Sequence, residues 1–310
     1  MTDHHTPTPE NNPAPPKGGK YIDFFTDFGF KKLFGPPHRE RLMNFLNSLL
    51  TDLPEPIIDL QYLQQEQLGN SEDDRDAVFD LYCKTQSGYR FIVEMQNSRQ
   101  QHFKDRLIYY STFPIQEQAR RGTWEYFLYP VYSIALLNFR LDDGSTDPDD
   151  IISVGKITNI KTGRIMYDKL TYVFIEMPKF NKDPDALTPH VEKWLYVMNN
   201  LATIEEVPPG LREDVFMEFL DEAEIAKLDA DDRLAYHRSL KAYRDRINTE
   251  EYARSEGRRE GRQEGRQEGI AARNREIVAK MLAMGVDRAT ILEFTGLSSS
   301  ELSDLEKLSI

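Results

Sequence analysis

The amino-acid sequence predicts an α/β (α+β) fold, in which a mixed central sheet is flanked by helices and followed by a helical C-terminal region. The first observation is that apolar residues before residue 183 alternate between helical spacing and short strand-like runs. The second is a pair of strand-like runs joined by the turn residues Gln86, Ser87 and Gly88. The third is that helical spacing alone continues after residue 183. Strands and helices mixed in one segment favour a sheet with helices packed on it.

Composition limits the class of protein. The 310 residues carry a net charge of −13, which argues against a protein that coats nucleic acid through its overall charge. Cys83 is the single cysteine, so we expect neither a disulfide framework nor a thiolate metal cluster. No apolar run approaches the ~18 residues of a membrane span, and the polar, proline-rich N-terminus shows no signal peptide. We therefore expect a cytoplasmic protein without a membrane partner.

The segments before the turn are predicted, in order, as a tail, a helix, a strand and a loop. Residues 1–20 are polar and rich in proline, and we expect them to be disordered. The apolar spacing of His38–Leu50 predicts a helix, and the alternation in Ile57–Leu63 predicts an edge strand. The polar run Gln64–Asp74 is predicted to be a loop.

The two strands around the turn place two carboxylates opposite each other. Ala77–Thr85 and Tyr89–Gln96 are the predicted strands, and three residues join them. A three-residue loop pairs Thr85 with Tyr89. Five residues further from the turn on each strand, Asp80 then lies opposite Glu94. Directly opposed residues have Cβ atoms about 5 Å apart. Two carboxylates at that separation repel unless a cation or a shared proton lies between them.

The later segments complete the predicted sheet and then become helical. Asn97–Arg121 has helical spacing, and the apolar runs at 131–139 and 171–177 are predicted strands on either side of an acidic loop at 141–150. After residue 182 we expect a helical extension at 183–253, a Gly-Arg-Glu repeat helix or linker at 254–272, and a small helix-turn-helix-like module at 273–310.

Asp80 and Glu94 are the candidate catalytic acids and metal ligands. Mg²⁺ prefers oxygen ligands and suits one or two carboxylates together with a substrate phosphate, and Mn²⁺ and Ca²⁺ are alternatives. The backbone carbonyl of Met95 offers a further oxygen, and Gln96 could orient a water or contact a phosphate. Spacing alone also allows two exposed acids on a solvated face. The apolar residues around both acids favour the metal site, because buried charges need partners.

A strand with aspartate, a glycine turn and a strand that ends in Glu-x-Gln together resemble the PD-(D/E)XK nuclease superfamily. More narrowly, the chain resembles its recombination-promoting nuclease (Rpn) and transposase branch, over nearly the whole length after Tyr21. The segments that carry this resemblance are DFGFKKLFG at 27–35, FLNSLL at 45–50, FIVEMQ at 91–96, RLIYYST at 106–112, PVYSIALLNF at 130–139, FIEMPKF at 174–180, the Gly-Arg-Glu repeat and GLSSSEL at 296–302.

The resemblance implies a restriction-endonuclease-like fold for residues 21–182 and Mg²⁺-dependent cleavage of DNA phosphodiester bonds. By position, Asp80 and Glu94 would be the metal ligands. Gln96 stands where the wider superfamily has lysine, so the source of positive charge near the attacking water is open, although the narrower branch generally has glutamine there. Glu40, on the preceding predicted helix, is an additional candidate acid.

Four residues are candidate DNA contacts: Lys31, Lys104, Arg106 and Gln118. The two cations after the active-site strand, Lys104 and Arg106, could line a DNA groove. For Lys31 the alternative is a solvated helix end, and for Gln118 it is a structural hydrogen-bond network.

The C-terminal region favours packing or assembly over DNA binding. Gly257, Gly261, Gly265 and Gly269 recur four residues apart, and each helical glycine costs about 1 kcal/mol relative to alanine. Either the repeat is a solvated linker, or close approach of a second helix explains its glycines and the chain is a dimer. The helix-turn-helix-like module ends in acidic residues, which favours packing or assembly over reading DNA.

The leading hypothesis is therefore a metal-dependent DNA endonuclease used in recombination, transposition, mobile-element movement or defence. A second hypothesis is a catalytically weak or inactive nuclease fold that binds DNA or a protein. A third is a structural protein whose helical C-terminal region directs assembly.

Overall fold

The computed structural model describes residues 19–64, 66–67, 77–119, 125–141 and 143–308. The tail predicted at residues 1–20 lies outside this range except for its last two residues, and most of the predicted loop Gln64–Asp74 also lies outside it. The chain divides into two compact units, one up to Arg246 and one from Ile247 onward. The predicted domain boundaries stay predictions.

The first unit contains a mixed sheet, as predicted. Its elements are α1 (Asp27–Phe34), α2 (Arg39–Leu49), β1 (Gln61–Tyr62), β2 (Glu66–Gln67), β3 (Ala77–Val78), β4 (Leu81–Lys84), β5 (Arg90–Gln96), α3 (Phe103–Gln116), β6 (Val131–Leu137), β7 (Ile152–Thr158), β8 (Ile165–Glu176), α4 (His190–Asn200), α5 (Asp214–Ala223) and the start of α6 (Ala230–Ala283).

The six-stranded sheet has the order β1-β4-β5-β6-β8-β7, and β2 pairs separately with β3. The pairs β5/β6 and β6/β8 are parallel, whereas β1/β4, β4/β5 and β7/β8 are antiparallel. Helix α3 is the crossover between the parallel strands β5 and β6, the connection that parallel pairing requires. The central strands β5 and β6 are buried along most of their length, which is typical of strands that are covered on both faces.

An aromatic cluster joins the opening helices to the helical extension. The ring of Phe34 stacks on Phe45 with centroids 5.5 Å apart and lies 5.5 Å from the ring of Trp194 in α4 and 6.0 Å from Phe219 in α5. All four side chains are fully buried. The helices that follow residue 183 therefore complete the core of the sheet-containing unit up to Arg246.

The turn between β4 and β5 packs against the segment before β6. Gly88 has a φ of 92°, in the left-handed region, and a Cβ atom there would lie 2.4 Å from the ring of Tyr129. Glycine is therefore required both by the backbone conformation and by the close approach of this ring.

Several predicted boundaries were wrong. Within the predicted strand Ile57–Leu63 only β1 forms, and the predicted strand Ala77–Thr85 is interrupted at Phe79 and Asp80. The helix predicted from Asn97 begins at Phe103, after His102, whose φ of 61° places it in the left-handed region. Strand β7 was not predicted, because ISVGKIT contains a glycine and does not alternate cleanly.

The second unit is helical. Helix α6 runs without interruption for 54 residues through the Gly-Arg-Glu repeat, so the repeat is a helix rather than a linker. Helices α7 (Arg288–Thr295) and α8 (Ser299–Leu308) then pack with the end of α6 around Val278, Ile291 and Leu302. Within the described residues, no helix is both long and apolar enough to cross a membrane.

Candidate active site

The two candidate acids meet where β4 begins and β5 ends. Strand pairing sets Leu81 opposite Val93, so the next pair is Asp80 and Glu94, the register that a three-residue turn predicts. Each acid accepts a hydrogen bond from a backbone N–H of the opposite segment. The Asp80 backbone N–H donates to Glu94 Oε1 at 3.2 Å, and the Met95 N–H donates to Asp80 Oδ2 at 2.8 Å. These side-chain contacts replace ladder hydrogen bonds, which is why the predicted strand breaks at Asp80.

The electrostatic environment of this pair disfavours two free negative charges. Burial raises the pKa of the Glu94 carboxyl, and the neighbouring Asp80 carboxylate raises that pKa further. Burial also raises the pKa of Asp80, although the N–H of Met95 and the positive charge of Lys31 act in the opposite direction. Glu94 is only 5% exposed. Buried carboxylates with raised pKa values cluster at functional sites.

The donor set fits a hard divalent cation. Two carboxylates and the carbonyl of Met95 supply only oxygen, which suits Mg²⁺ or Mn²⁺ better than a thiolate-seeking metal. Among the described residues, no group of three His, Cys, Asp or Glu side chains is close enough to hold a metal. An ion at Asp80 and Glu94 would therefore keep waters or substrate oxygens as its remaining ligands.

Gln96 lies on the same face of β5 as Glu94, two residues further on, and its amide is held on both sides. Its Nε2 donates to the Ser98 carbonyl at 3.0 Å, and its Oε1 accepts from Arg106 Nη2 at 2.7 Å. Arg106 also lowers the pKa of both Asp80 and Glu94 through its positive charge. The structure thus brings a predicted DNA contact, Arg106, into the carboxylate site.

Helix α1 contributes two charges to the same site. Lys31 lowers the pKa of Asp80 and Glu94, and it forms an ion pair of 2.7 Å with Asp27, one helical turn earlier. Asp27 in turn raises the pKa of Asp80. Glu40, the additional acid expected from the resemblance, lies exposed in the first turn of α2. Besides its partner Glu94, the charges that act on Asp80 are those of Lys31, Asp27 and Arg106.

Asp27 was missed by the sequence reasoning. The sequence pattern that could have identified Asp27 is its spacing of four residues from Lys31 on helix α1. Thr26 caps this helix, and its hydroxyl accepts a hydrogen bond from the Gly29 N–H. That spacing predicts a helical ion pair, but nothing in it tells which strand the helix faces.

The other two predicted DNA contacts are engaged elsewhere. Lys104 forms an ion pair of 2.6 Å with Asp143 in the loop after β6. Gln118 is buried, accepts from the Tyr129 N–H at 2.6 Å and donates to the Pro114 carbonyl at 3.0 Å. Gln118 therefore ties the end of α3 to the segment that leads into β6.

Two family models match the chain. Residues 24–253 match the family described as PD-(D/E)XK nuclease family transposase, and this match covers well over half of the chain. Residues 274–307 match the C-terminal HTH domain of the Rpn/YhgA-like nuclease family. Neither the search of curated proteins nor that of solved structures finds a match. The chain belongs to the PD-(D/E)XK nuclease family of transposases, and it carries the C-terminal HTH domain of the Rpn/YhgA-like nucleases.

Proposed function

We propose that this protein is a divalent-metal-dependent DNA endonuclease, with Mg²⁺ as the expected ion. The observation that carries the proposal is the pairing of the half-buried Asp80, just before β4, with the buried Glu94 in β5. Both carboxyl groups have raised pKa values. Such a pair is poorly stable by itself, because like charges close together disfavour ionisation of both groups. A cation held between the two carboxylates would relieve that repulsion.

The chain's own residues account for the remaining tasks of phosphodiester hydrolysis. Asp80, Glu94 and the Met95 carbonyl would hold the ion, which supplies Lewis-acid activation of the phosphate and of the attacking water when bound. The Met95 N–H fixes the Asp80 carboxylate, and the Asp80 N–H fixes that of Glu94, so both ligands are oriented before substrate arrives. Lys31 adds positive charge beside this pair.

In the same proposal, the C-terminal region binds DNA and mediates self-association. The HTH match at 274–307 supports contact with DNA. The four glycines of the repeat support self-association, because Cβ atoms added there would meet nothing within 4 Å in this chain. Such a surface leaves room for a second helix to approach closely.

Plasmid cleavage tests the activity. Purified protein is incubated with supercoiled plasmid in Mg²⁺, Mn²⁺, Ca²⁺ or EDTA, and open-circular and linear products are quantified separately. We expect cleavage with Mg²⁺ or Mn²⁺ and none with EDTA. Asp80→Asn and Glu94→Gln should each abolish it, whereas Glu205→Gln, at an exposed glutamate, should leave it unchanged.

Two results would contradict the proposal. Unchanged nicking by both site variants would show that these carboxylates do not carry the activity, or that the nuclease is a contaminant. DNA binding by the wild-type protein without cleavage in any of the metals would favour the alternative function, a nuclease fold that only binds DNA.

A further inference from the structure

We propose that Arg106 supplies the positive charge that contacts the scissile phosphate, and that Gln96 is the positioning residue that holds it there. This inference rests on the proposed endonuclease function and assigns roles within the same site. It answers a question raised by the sequence, because an amide at position 96 cannot carry the charge of the lysine that the resemblance leads one to expect.

The amide of Gln96 has one orientation that satisfies both of its contacts. A carbonyl oxygen can only accept a hydrogen bond, so the group of Gln96 that meets the Ser98 carbonyl must be the NH₂ group. A guanidinium can only donate, so the group that meets Arg106 must be the amide oxygen. Both contacts therefore require the same orientation, and Gln96 is buried at 6% exposure. The amide is a fixed acceptor aimed at Arg106.

The guanidinium group of Arg106 is held by two aromatic rings and two amide side chains. Its guanidinium carbon lies 5.4 Å from the ring centroid of Phe103 and 5.9 Å from that of Tyr110, both on α3. One Nη donates to Gln96 and the other to Gln100. A guanidinium has five N–H groups in a planar fork, so these two contacts leave donors for the oxygens of a phosphate.

The charge of Arg106 differs from that of the neighbouring cations in how it is compensated. Lys31 pairs with the carboxylate of Asp27 at 2.7 Å, and Lys104 pairs with that of Asp143 at 2.6 Å. The two side chains that accept from Arg106 are neutral amides, which orient the guanidinium without neutralising it. Arg106 can therefore contact a phosphate without first breaking a direct ion pair such as those of Lys31 and Lys104.

The step assisted by Arg106 is the hydrolysis of one phosphodiester bond. A water oxygen forms a bond to phosphorus while the bond from phosphorus to the leaving oxygen breaks. The water loses one proton to solvent, and the leaving oxygen takes one up. Negative charge grows on the non-bridging oxygens, and N–H donors of Arg106 placed against them stabilise that charge.

A charge-relocation experiment tests the assignment. Arg106→Gln should lower kcat for plasmid cleavage about 100-fold, the effect of losing one preorganised donor to a developing oxyanion. Arg106→Lys should retain part of the activity, because it keeps the charge and loses the fork. The double variant Gln96→Lys/Arg106→Gln should recover at least ~10-fold over Arg106→Gln, since it returns a cation to position 96. The matched control is Arg212→Gln, at an exposed arginine.

A binding measurement provides a readout that is independent of turnover. Duplex DNA affinity is measured in EDTA at several salt concentrations. Arg106→Gln should make the negative slope of log K against log salt shallower by about 0.9, which corresponds to the loss of one phosphate contact. Arg212→Gln should leave the slope unchanged. If Arg106→Gln does not fold, Arg106→Met replaces it, because its side chain still covers Phe103 and Tyr110.

The outcomes separate this inference from the proposed function. Wild-type turnover in Arg106→Gln overturns the inference and leaves the endonuclease intact. Arg106→Gln could also lose turnover that Gln96→Lys does not restore, while the salt slope stays unchanged. That result would show that Arg106 has a structural role, and it would also overturn the inference. If the wild-type protein cleaves nothing, the proposed function fails, and the salt slope alone then decides whether Arg106 contacts phosphate.

Discussion

Two buried glutamates in one sheet have opposite surroundings. Glu94 in β5 is 5% exposed and faces another carboxylate, Asp80. Glu176, at the end of β8 and two strands away, is fully buried and surrounded by donors. It accepts from the Leu141 N–H, the Thr146 hydroxyl and Lys179 Nζ, each at 2.8 Å.

The difference separates a structural charge from a candidate catalytic one. Glu176 and Lys179 form a buried ion pair whose remaining hydrogen bonds are met by the loop at 141–150, so this pair fixes the loop. Glu94 meets a like charge, and burial raises its pKa. A buried acid without a bound cation is destabilising in the free protein, which is typical of groups that wait for a ligand.

The largest expected effect is on activity at the carboxylate pair. Glu94→Gln should lower cleavage by about 10³-fold, the upper range for loss of a single electrostatic group. The same change should raise the free energy of unfolding by about 1–2 kcal/mol, because it removes the repulsion with Asp80 while an amide oxygen can still accept from the Asp80 N–H. Turnover assays and urea denaturation measure the two effects. A loss of stability together with activity would make Glu94 a structural acid, like Glu176.

The second largest effect is expected at the structural pair. Glu176→Gln should lower the free energy of unfolding by about 3–5 kcal/mol, because Lys179, whose side chain is 6% exposed, is left as an uncompensated buried charge. Urea denaturation measures the loss, and turnover per folded molecule should match the wild type. Stability close to that of the wild-type protein would break the comparison between the two glutamates.

Asp23 is a third buried acid, and it should make the stability of the protein depend on pH. Burial raises the pKa of Asp23 to about 6, against the opposing effects of the Phe25 N–H and of Arg244. The folded protein therefore binds a proton more tightly than the unfolded chain, whose carboxyl keeps a pKa near 3.8. Stability should fall as pH rises from about 4 through 6, and the loss should level off at about 2–3 kcal/mol above pH 7.

The measurement is denaturation of the wild type and Asp23→Asn between pH 4 and 8. The difference between their free energies of unfolding isolates the contribution of this carboxyl from those of all other groups. We expect the free energy of unfolding of Asp23→Asn to increase relative to that of the wild type as pH rises. A constant difference across this range would show that burial does not perturb Asp23.

A smaller effect is expected on the exposed helix α6. Gly261→Ala should stabilise this helix by about 1 kcal/mol, because a Cβ there meets nothing within 4 Å in the chain. Thermal unfolding followed by circular dichroism measures this gain, and mass in solution is measured in parallel. Under the proposed self-association, the added Cβ should also keep a second helix from approaching closely, so the mass in solution should shift toward the monomer. An unchanged mass would show that Gly261 does not serve helix–helix approach.

The smallest effect is expected at an exposed counterpart of the structural pair. Glu256 and Arg259 are also three residues apart, with their charged atoms 2.6 Å from each other, but the Arg259 side chain is 71% exposed. Glu256→Gln should change the free energy of unfolding by less than about 0.5 kcal/mol. A change as large as that of Glu176→Gln would mean that burial does not explain the difference between the two pairs.

The sequence was sufficient for the mixed sheet and for the register of the active-site hairpin, because alternation and a turn of fixed length determine both. The positions of Asp27 and Arg106 beside the carboxylate pair could not be predicted in the same way. Helix α1 reaches the site from a distant segment of the chain, whereas α3 follows β5 directly. In both cases helical spacing does not specify which side chains turn toward the strand. The partner of Glu176 was missed for a different reason, since Lys179 follows the strand in a short turn outside any periodic element.

The continuous helix through the repeat was also hard to predict, because four glycines in one helix oppose local helix propensity. The interruption at Asp80 was missed because its cause is a side chain bonded to a backbone N–H on the opposite strand. Propensity and periodicity depend on residues that are close along the chain, so they cannot predict a hydrogen bond between a side chain and the backbone of another strand.

The close packing of Gly88 against Tyr129 fixes the position of the turn, and the position of the turn sets the register of the hairpin. Both carboxylates lie at the far end of that hairpin, and their alignment depends on the length of the turn rather than on any contact near them. One residue inserted between Gln86 and Gly88 would slip the strands and turn one acid to the opposite face of the sheet. The proposed chemistry of this protein is therefore vulnerable to a length error at a place that touches neither metal ligand nor substrate.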